Sequence, residues 1–248
     1  MIKNWFLVFF TFSTLPFFPT TEVNAARLTK TGDAFIREFL PEVRKVNYEI
    51  RKERQTIRYW RAHLAIKGWL PIQAYQQLLR IAEKYDEPTD TPQTGSLKAQ
   101  IWWRIQSLAH KVDEIPEEIV LAQAILESGW GKSKAARNTF NFFGLTSRSQ
   151  TGNPLVTSSG STFYYLKSYK NMHEGIKDYA ITINTHWAYK DFRNMRSEYR
   201  RQGKSLDPCQ LTQGLLRWSE RRERYTAKLR LVIRRYLPVD MESFLAKA

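Results

Sequence analysis

The stretch LAQAILESGWGKSKAARNTFNFFG, residues 121–144, ends an apolar helical run on one carboxylate, Glu127, and breaks at once into Ser-Gly-Trp-Gly. A helix C-terminus is already partly negative and disfavours an anion. The helix neighbours three, four and seven back are Ala124, Gln123 and Val120, and Trp130, Phe140, Phe142 and Phe143 follow. Dipole and desolvation both favour the protonated form of such a carboxyl, and a raised pKa is what a general acid at neutral pH requires. Composition alone leaves a second reading open, an ordinary surface glutamate at a helix end. Periodicity does not separate the two.

Other chemistry is thinly represented. Cys209 is the lone cysteine, so neither an intramolecular disulfide nor a thiolate zinc site can form. His63, His110, His173 and His186 are scattered, and neither a HExxH pattern nor a Gly-rich phosphate loop occurs. No metal and no cofactor is expected. His186, in NTHWAY, reads as a hydrogen-bonded structural residue.

The elements that must hold Glu127 are helices. Apolar residues at 42% support a packed core. In residues 33–84, Phe35, Phe39, Val43, Val46 and Ile50 recur at three and four, and Ile72, Tyr75, Leu78, Leu79 and Ala82 repeat the rhythm. Pro41 is expected to break or kink the first of these helices. Residues 86–96, DEPTDTPQTGS, read as a linker. Beyond it, LKAQIWWRIQSLAHKV and DEIPEEIVLAQAILES are helical, with Gly129 as a left-handed stop. Leu155–Thr157 and Thr162–Leu166, joined by Ser-Ser-Gly-Ser, give a hairpin. Helix resumes at Asn171 and Glu174 in capping-box spacing, and again with Asp207 as cap and Pro208 first. The last helix, YTAKLRLVIRRYL, puts Tyr225, Leu229, Val232, Ile233 and Tyr236 on one face and its arginines on the other. The fold class is mainly α with one small β-hairpin, preceded by a helical N-terminal extension.

Residues 1–25 read as a signal peptide: Lys3, an apolar run from Trp5 to Phe18, and a Val23-Asn24-Ala25 site. The run is short for a span and Pro16 and Pro19 interrupt its end, so no stable membrane span is expected in the mature protein. An exported protein, periplasmic or secreted, follows. The formal charge of +15 then favours anionic envelope polymers over nucleic acid, for which no binding motif is present.

The segment AQAILESGWGKSKAARNTFNFFG resembles the signature of bacterial glucosaminidase domains, glycoside hydrolase family 73 of the lysozyme-like superfamily. YKNMHEGIKDYAITINTHWAYKDFR and SERRERYTAKLRLVIRRYL resemble later helices of the same domain. The Asn-Thr-His segment and helical extension are similar to the exported Bax-type proteins of Gram-negative bacteria. The resemblance implies a lysozyme-like helical domain over 97–238, after an extension at 26–85 and the linker at 86–96, with a tail at 239–248. It implies Glu127 as catalytic acid and the peptidoglycan glycan strand as substrate, cut on the reducing side of N-acetylglucosamine. Tyr165, Tyr225, Trp130 and Trp218 become candidate substrate contacts, while Phe142 and Phe143 read as core.

One departure bears on mechanism. Many members of that family offer a second carboxylate near the hairpin, whereas no Asp or Glu lies between Glu127 and Glu174, and Tyr165 occupies the corresponding place. A family tyrosine ahead of the last helix is replaced by Trp218. A two-carboxylate scheme cannot be assembled from Glu127 and the hairpin alone. The substrate's own 2-acetamido group, an intramolecular attack giving an anhydro product as in lytic transglycosylases, or a distant acid such as Asp191 or Glu220 remain as alternatives. A non-catalytic wall-binding or scaffold protein on the same fold is the reading from another class.

Overall fold

A computed structural model describes residues 30–88, 95–147, 152–159 and 162–246. The expected signal peptide and most of the expected linker lie outside the described residues.

Helix α1, Lys30–Lys67, runs unbroken through Pro41. A proline inside a helix removes one backbone hydrogen bond at a cost of about 3 kcal/mol. The sequence expectation of a break there is not met, because Phe39, Leu40 and Val43 on either side are fully buried and hold both halves to the core. Gly68, at φ +81°, turns the chain into α2, Ile72–Lys84. Helix α3, Leu97–Lys111, starts with the Ser96 hydroxyl accepting from Ala99 N. Helix α4, Glu117–Ser128, carries Glu127 one residue from its end, and α5 covers Lys134–Thr139. After the sheet come α6 at Met172–Thr185, a 3-10 turn at Trp187–Tyr189, and α7 at Lys190–Arg201. Then follow α8 at Pro208–Leu211, a 3-10 turn at Thr212–Trp218, α9 at Arg222–Tyr236 and α10 at Met241–Ala246. The sequence signals for caps are realised: Asn171 accepts from Glu174 N and Asp207 from Gln210 N.

The hairpin pairs β2, Gly152–Ser159, with β3, Thr162–Lys167. A two-residue strand, β1 at Thr146–Ser147, adds to the far side of β3, so the sheet is three-stranded in the order β1-β3-β2, all antiparallel. A strand of two residues has no periodicity to read, and the sequence did not reveal it. Asn141 fixes this corner: its buried amide donates to the carbonyls of Leu145 and Lys167 and accepts from Leu145 N.

One core runs through the molecule. Phe35, Phe39 and Val43 of α1 share it with Ile119 and Ala122 of α4 and with Leu229 of α9. Helix α1 packs on α3, α4 and α6, so the N-terminal segment from residue 30 is part of the same packed body. Its polar residues also fix the entry to α4. Arg44 makes a two-pronged pair with Glu117, and Asn47 exchanges hydrogen bonds with Ile115 N and O. Arg54 donates to the carbonyls of Ala109 and Val112. From the other side, buried Arg196 of α7 donates to the carbonyls of Lys111, Asp113 and Glu114, and Arg200 grips both carboxylate oxygens of Asp113 at 3.1 Å. Buried polar backbone must be paired, and here arginines pair an irregular loop that no ladder could satisfy. The loop so held sets where α4 begins, and therefore where Glu127 ends up.

A candidate active site at the end of helix α4

Helix α4 stops in a turn that uses three consecutive left-handed residues, Gly129 at φ +58°, Trp130 at +62° and Gly131 at +72°. Glycine adopts this conformation without a Cβ penalty. At Gly131 it is also a spatial need, since a Cβ would sit 3.1 Å from the ring of Phe35. Ser128 pins the reversal: its buried hydroxyl donates to Ala124 O at 2.6 Å and accepts from Gly131 N at 2.7 Å. The Glu-Ser-Gly-Trp-Gly pattern thus has a local cause. It ends a helix abruptly one residue after the carboxylate.

Glu127 keeps part of its surface accessible, while protein packs around its carboxyl closely enough that burial is the largest influence on its protonation. Burial raises the Glu127 carboxyl above the ordinary carboxylate range, against hydrogen bonds from Tyr225 and Trp218 that pull it down. Trp218 donates its indole N–H to Oε1 at 2.9 Å. The Tyr225 hydroxyl donates to the carboxyl and itself accepts from Gln123 Nε2 at 3.0 Å. Gln123 Oε1 in turn accepts from the Tyr179 hydroxyl at 2.5 Å. The chain Tyr179, Gln123, Tyr225, Glu127 is continuous, and each partner is uncharged. Burial also holds the Tyr179 and Tyr225 phenols well above their usual range, so both remain donors.

Helices and turns from across the chain build this cluster. Gln123 lies one helical turn before Glu127, on the same face of α4. Tyr179 of α6 stacks on Phe143, with ring centroids 3.9 Å apart, and its edge meets Trp218 at 5.7 Å. Trp218 closes the 3-10 turn that follows α8. That turn lies against α7 only because residue 214 is glycine, where a Cβ would come within 2.3 Å of Phe192 Cα. Tyr225 comes from the first turn of α9.

The residues singled out from sequence fall into two groups. Trp218 and Tyr225 converge on Glu127. Both are buried, Trp218 at 1% exposure, and each presents a hydrogen-bond donor to the carboxyl. Trp130 packs edge-on against Phe35 and Tyr236, at centroid distances of 6.2 and 6.0 Å, and is half-buried in that company. Tyr165 lies on β3 opposite Ser147, half-exposed, and faces away from the side on which Leu166 is buried. Phe142 and Phe143 are core. Asp191 and Glu220 are exposed, at the start of α7 and just before α9. His186 ends α6, and its Nδ1 accepts from Ala188 N. Gln123 and Tyr179 were not picked out from sequence as members of the site. The signal for Gln123 was available: it is the one amide in an apolar helix face, four residues before the acid. Tyr179 had none, because its helix reads as ordinary amphipathic packing.

Comparisons with known proteins bear on the same span. A glucosaminidase family model, described as mannosyl-glycoprotein endo-beta-N-acetylglucosaminidase, matches residues 103–237, which hold the whole cluster around Glu127. Protein bax of Escherichia coli (strain K12) is 28% identical over 198 residues, covering 79% of this chain. The aligned part is 66% of that relative, so the chain spans just under two thirds of its length. No solved structure matches the chain significantly. With more than half of its length matched, and with the helical architecture that the match requires, the chain belongs to the glucosaminidase family of glycosidases.

Proposed function

We propose that this protein is an exported peptidoglycan glycosidase that cuts the glycan strand at N-acetylglucosamine with Glu127 as its general acid. The observation that carries the reading is the setting of Glu127: a partly accessible carboxyl raised by burial and held only by neutral donors. A proton that burial makes the carboxyl hold more tightly is available to the glycosidic oxygen as the C1–O bond opens toward an oxocarbenium-like state. Tyr225 and Trp218 hydrogen-bond the carboxylate left behind, which keeps it in place to take a proton back from water.

The nucleophile in this scheme is the substrate's own 2-acetamido group. Its carbonyl oxygen attacks C1 as the leaving oxygen takes the Glu127 proton, and water then opens the cyclic intermediate with Glu127 as base. The absence of Asp or Glu between residues 128 and 173 supports it, as does the exposed position of Asp191 and Glu220. Tyr165 is assigned to orienting substrate. The excess positive charge of +15 draws the protein to anionic envelope polymers. Incubation with purified sacculi, followed by mass analysis of released fragments, tests the proposal. Fragments with reducing N-acetylglucosamine ends are expected. Anhydro ends would transfer the acid to an intramolecular attack, and no release despite sedimentation with sacculi would leave a binding protein.

A further inference from the structure

Far from Glu127, the end of α1 and the starts of α2 and α3 meet at one tip of the molecule. Six large apolar side chains stand out there, Tyr59, Ile66, Trp69, Ile72, Leu97 and Trp103, each between 49% and 79% exposed. Contacts between neighbouring elements join parts of this tip. His63 bridges Tyr59 and Trp69 at centroid distances of 6.0 and 5.5 Å, Arg61 lies over the ring of Trp102 at 5.9 Å, and a Cβ on Gly68 would come 3.6 Å from Lys98 Nζ. Arg58, Arg61, Lys67 and Lys98 surround it, all exposed. Neither described stretch that forms it, 54–82 or 95–112, contains an Asp or Glu.

We infer that this tip is a docking site for the surface of an anionic phospholipid bilayer. Exposed apolar patches rimmed by charge mark interaction surfaces, and the chemistry here selects among partners. Protruding Ile66, Ile72 and Leu97 gain nothing from a hydroxyl-rich glycan but gain from the boundary of headgroup and acyl chain. Trp and Tyr settle at that boundary, and Lys and Arg pair with anionic headgroups. No described helix is long and apolar enough to cross a membrane, so the tip lies on the surface. The geometry gives the docking a consequence. Phe35, which touches Trp130 beside the acid, and His63 at the tip lie on the same helix, separated by roughly 40 Å at 1.5 Å rise per residue. Helix α1 is a rod that would hold Glu127 well above the lipid, whatever the enzyme cuts.

Vesicle flotation combined with hydroxyl-radical footprinting of the full chain tests this. With phosphatidylglycerol vesicles, Tyr59, Trp69 and Trp103 should be protected several-fold, while Trp187, exposed elsewhere, keeps its labelling. Phosphatidylcholine vesicles should give no tip protection. Lys67→Gln with Lys98→Gln should weaken tip protection about 30-fold in lipid concentration, at roughly fivefold for each charge near an anionic surface. Flotation with the tip still fully labelled would overturn the inference, because the contact would then lie elsewhere in the chain. No flotation would overturn it too. Tip protection by sacculi and not by vesicles would hand the surface to a wall polymer instead.

Discussion

Replacing Glu127 with Gln separates the chemistry of the site from its stability. The amide has the shape of the carboxyl and its oxygen can go on accepting the Trp218 N–H, but its nitrogen then faces the Tyr225 hydroxyl, which loses an acceptor. One net hydrogen bond is worth about 1 kcal/mol, so the loss at acid pH should not exceed that. At higher pH the balance shifts. Burial raises the wild-type carboxyl, so the folded state holds this proton more tightly than the unfolded chain does. The stability tied to it is full below the ordinary carboxylate value and is lost as pH rises through the folded value. Gln has no such loss. Glu118, raised by burial as well, is present in both proteins and cancels in the comparison. The melting temperature of the variant should therefore gain steadily on that of wild type from acid to neutral pH, while glycan cleavage falls by about 10²–10⁴. Calorimetry across pH and a sacculus-release assay on the same preparations read both. Melting curves that stay parallel across pH would refute the raised carboxyl. Cleavage within a few-fold of wild type would refute the acid.

The remaining predictions concern its neighbours and the chain around them. Trp218→Phe removes the indole donor that favours the ionised carboxyl, so the alkaline limb of the pH–rate profile should move to higher pH; an unmoved limb would leave Trp218 with packing alone. Tyr165→Phe should cost cleavage about fivefold, the worth of one hydrogen bond, and a loss as large as that of Glu127→Gln would make the hydroxyl a participant in the chemistry. Asp113→Ala leaves buried Arg196 without its acid, 3.7 Å away, and should lower unfolding free energy by about 3–5 kcal/mol in denaturant titration. N-terminal sequencing of protein recovered from the producing cell should begin near Ala26, and recovery of Met1 would end the proposal of a cleaved signal.

What could be read from sequence was what depends on neighbours within a turn or two. The αL stop at Gly129 and the caps at Asn171 and Asp207 are local, and each is where its residue type predicts. The face of α1 was legible because Phe35, Phe39, Val43, Val46 and Ile50 follow helical spacing, and all are buried. Pro41 does not break α1, since local propensity weighs one lost hydrogen bond and cannot weigh the packing that spans it. Strand β1 was invisible because its two residues owe their conformation to β3. In the site, Glu127 stood out for its odd position. The roles of Trp218 and Tyr225 did not, because whether an aromatic ring offers its face to a sugar or its polar edge to a carboxyl is decided by residues about a hundred positions away.

The same distance explains how a chain with 39 basic and 24 acidic residues can hold one carboxyl above the ordinary carboxylate range. A lysine or arginine beside Glu127 would favour its ionised form and spoil it as a proton donor. Neither is among the groups that shift its protonation, which are burial, Tyr225 and Trp218. Helix α9 shows how the two requirements coexist: Tyr225 points inward to the carboxyl, while Arg222 and Arg224 of the same turn are exposed. Surface charge acts on a polymer over distances set by salt, about 8 Å near 0.15 M, whereas the protonation of Glu127 is set by its immediate surroundings, burial favouring the proton and the Trp218 N–H at 2.9 Å opposing it. The positive field can therefore gather an anionic polymer without reaching the acid. Moving a charge inward, as in Gln123→Lys, would join the two ranges and should abolish cleavage even with Glu127 intact.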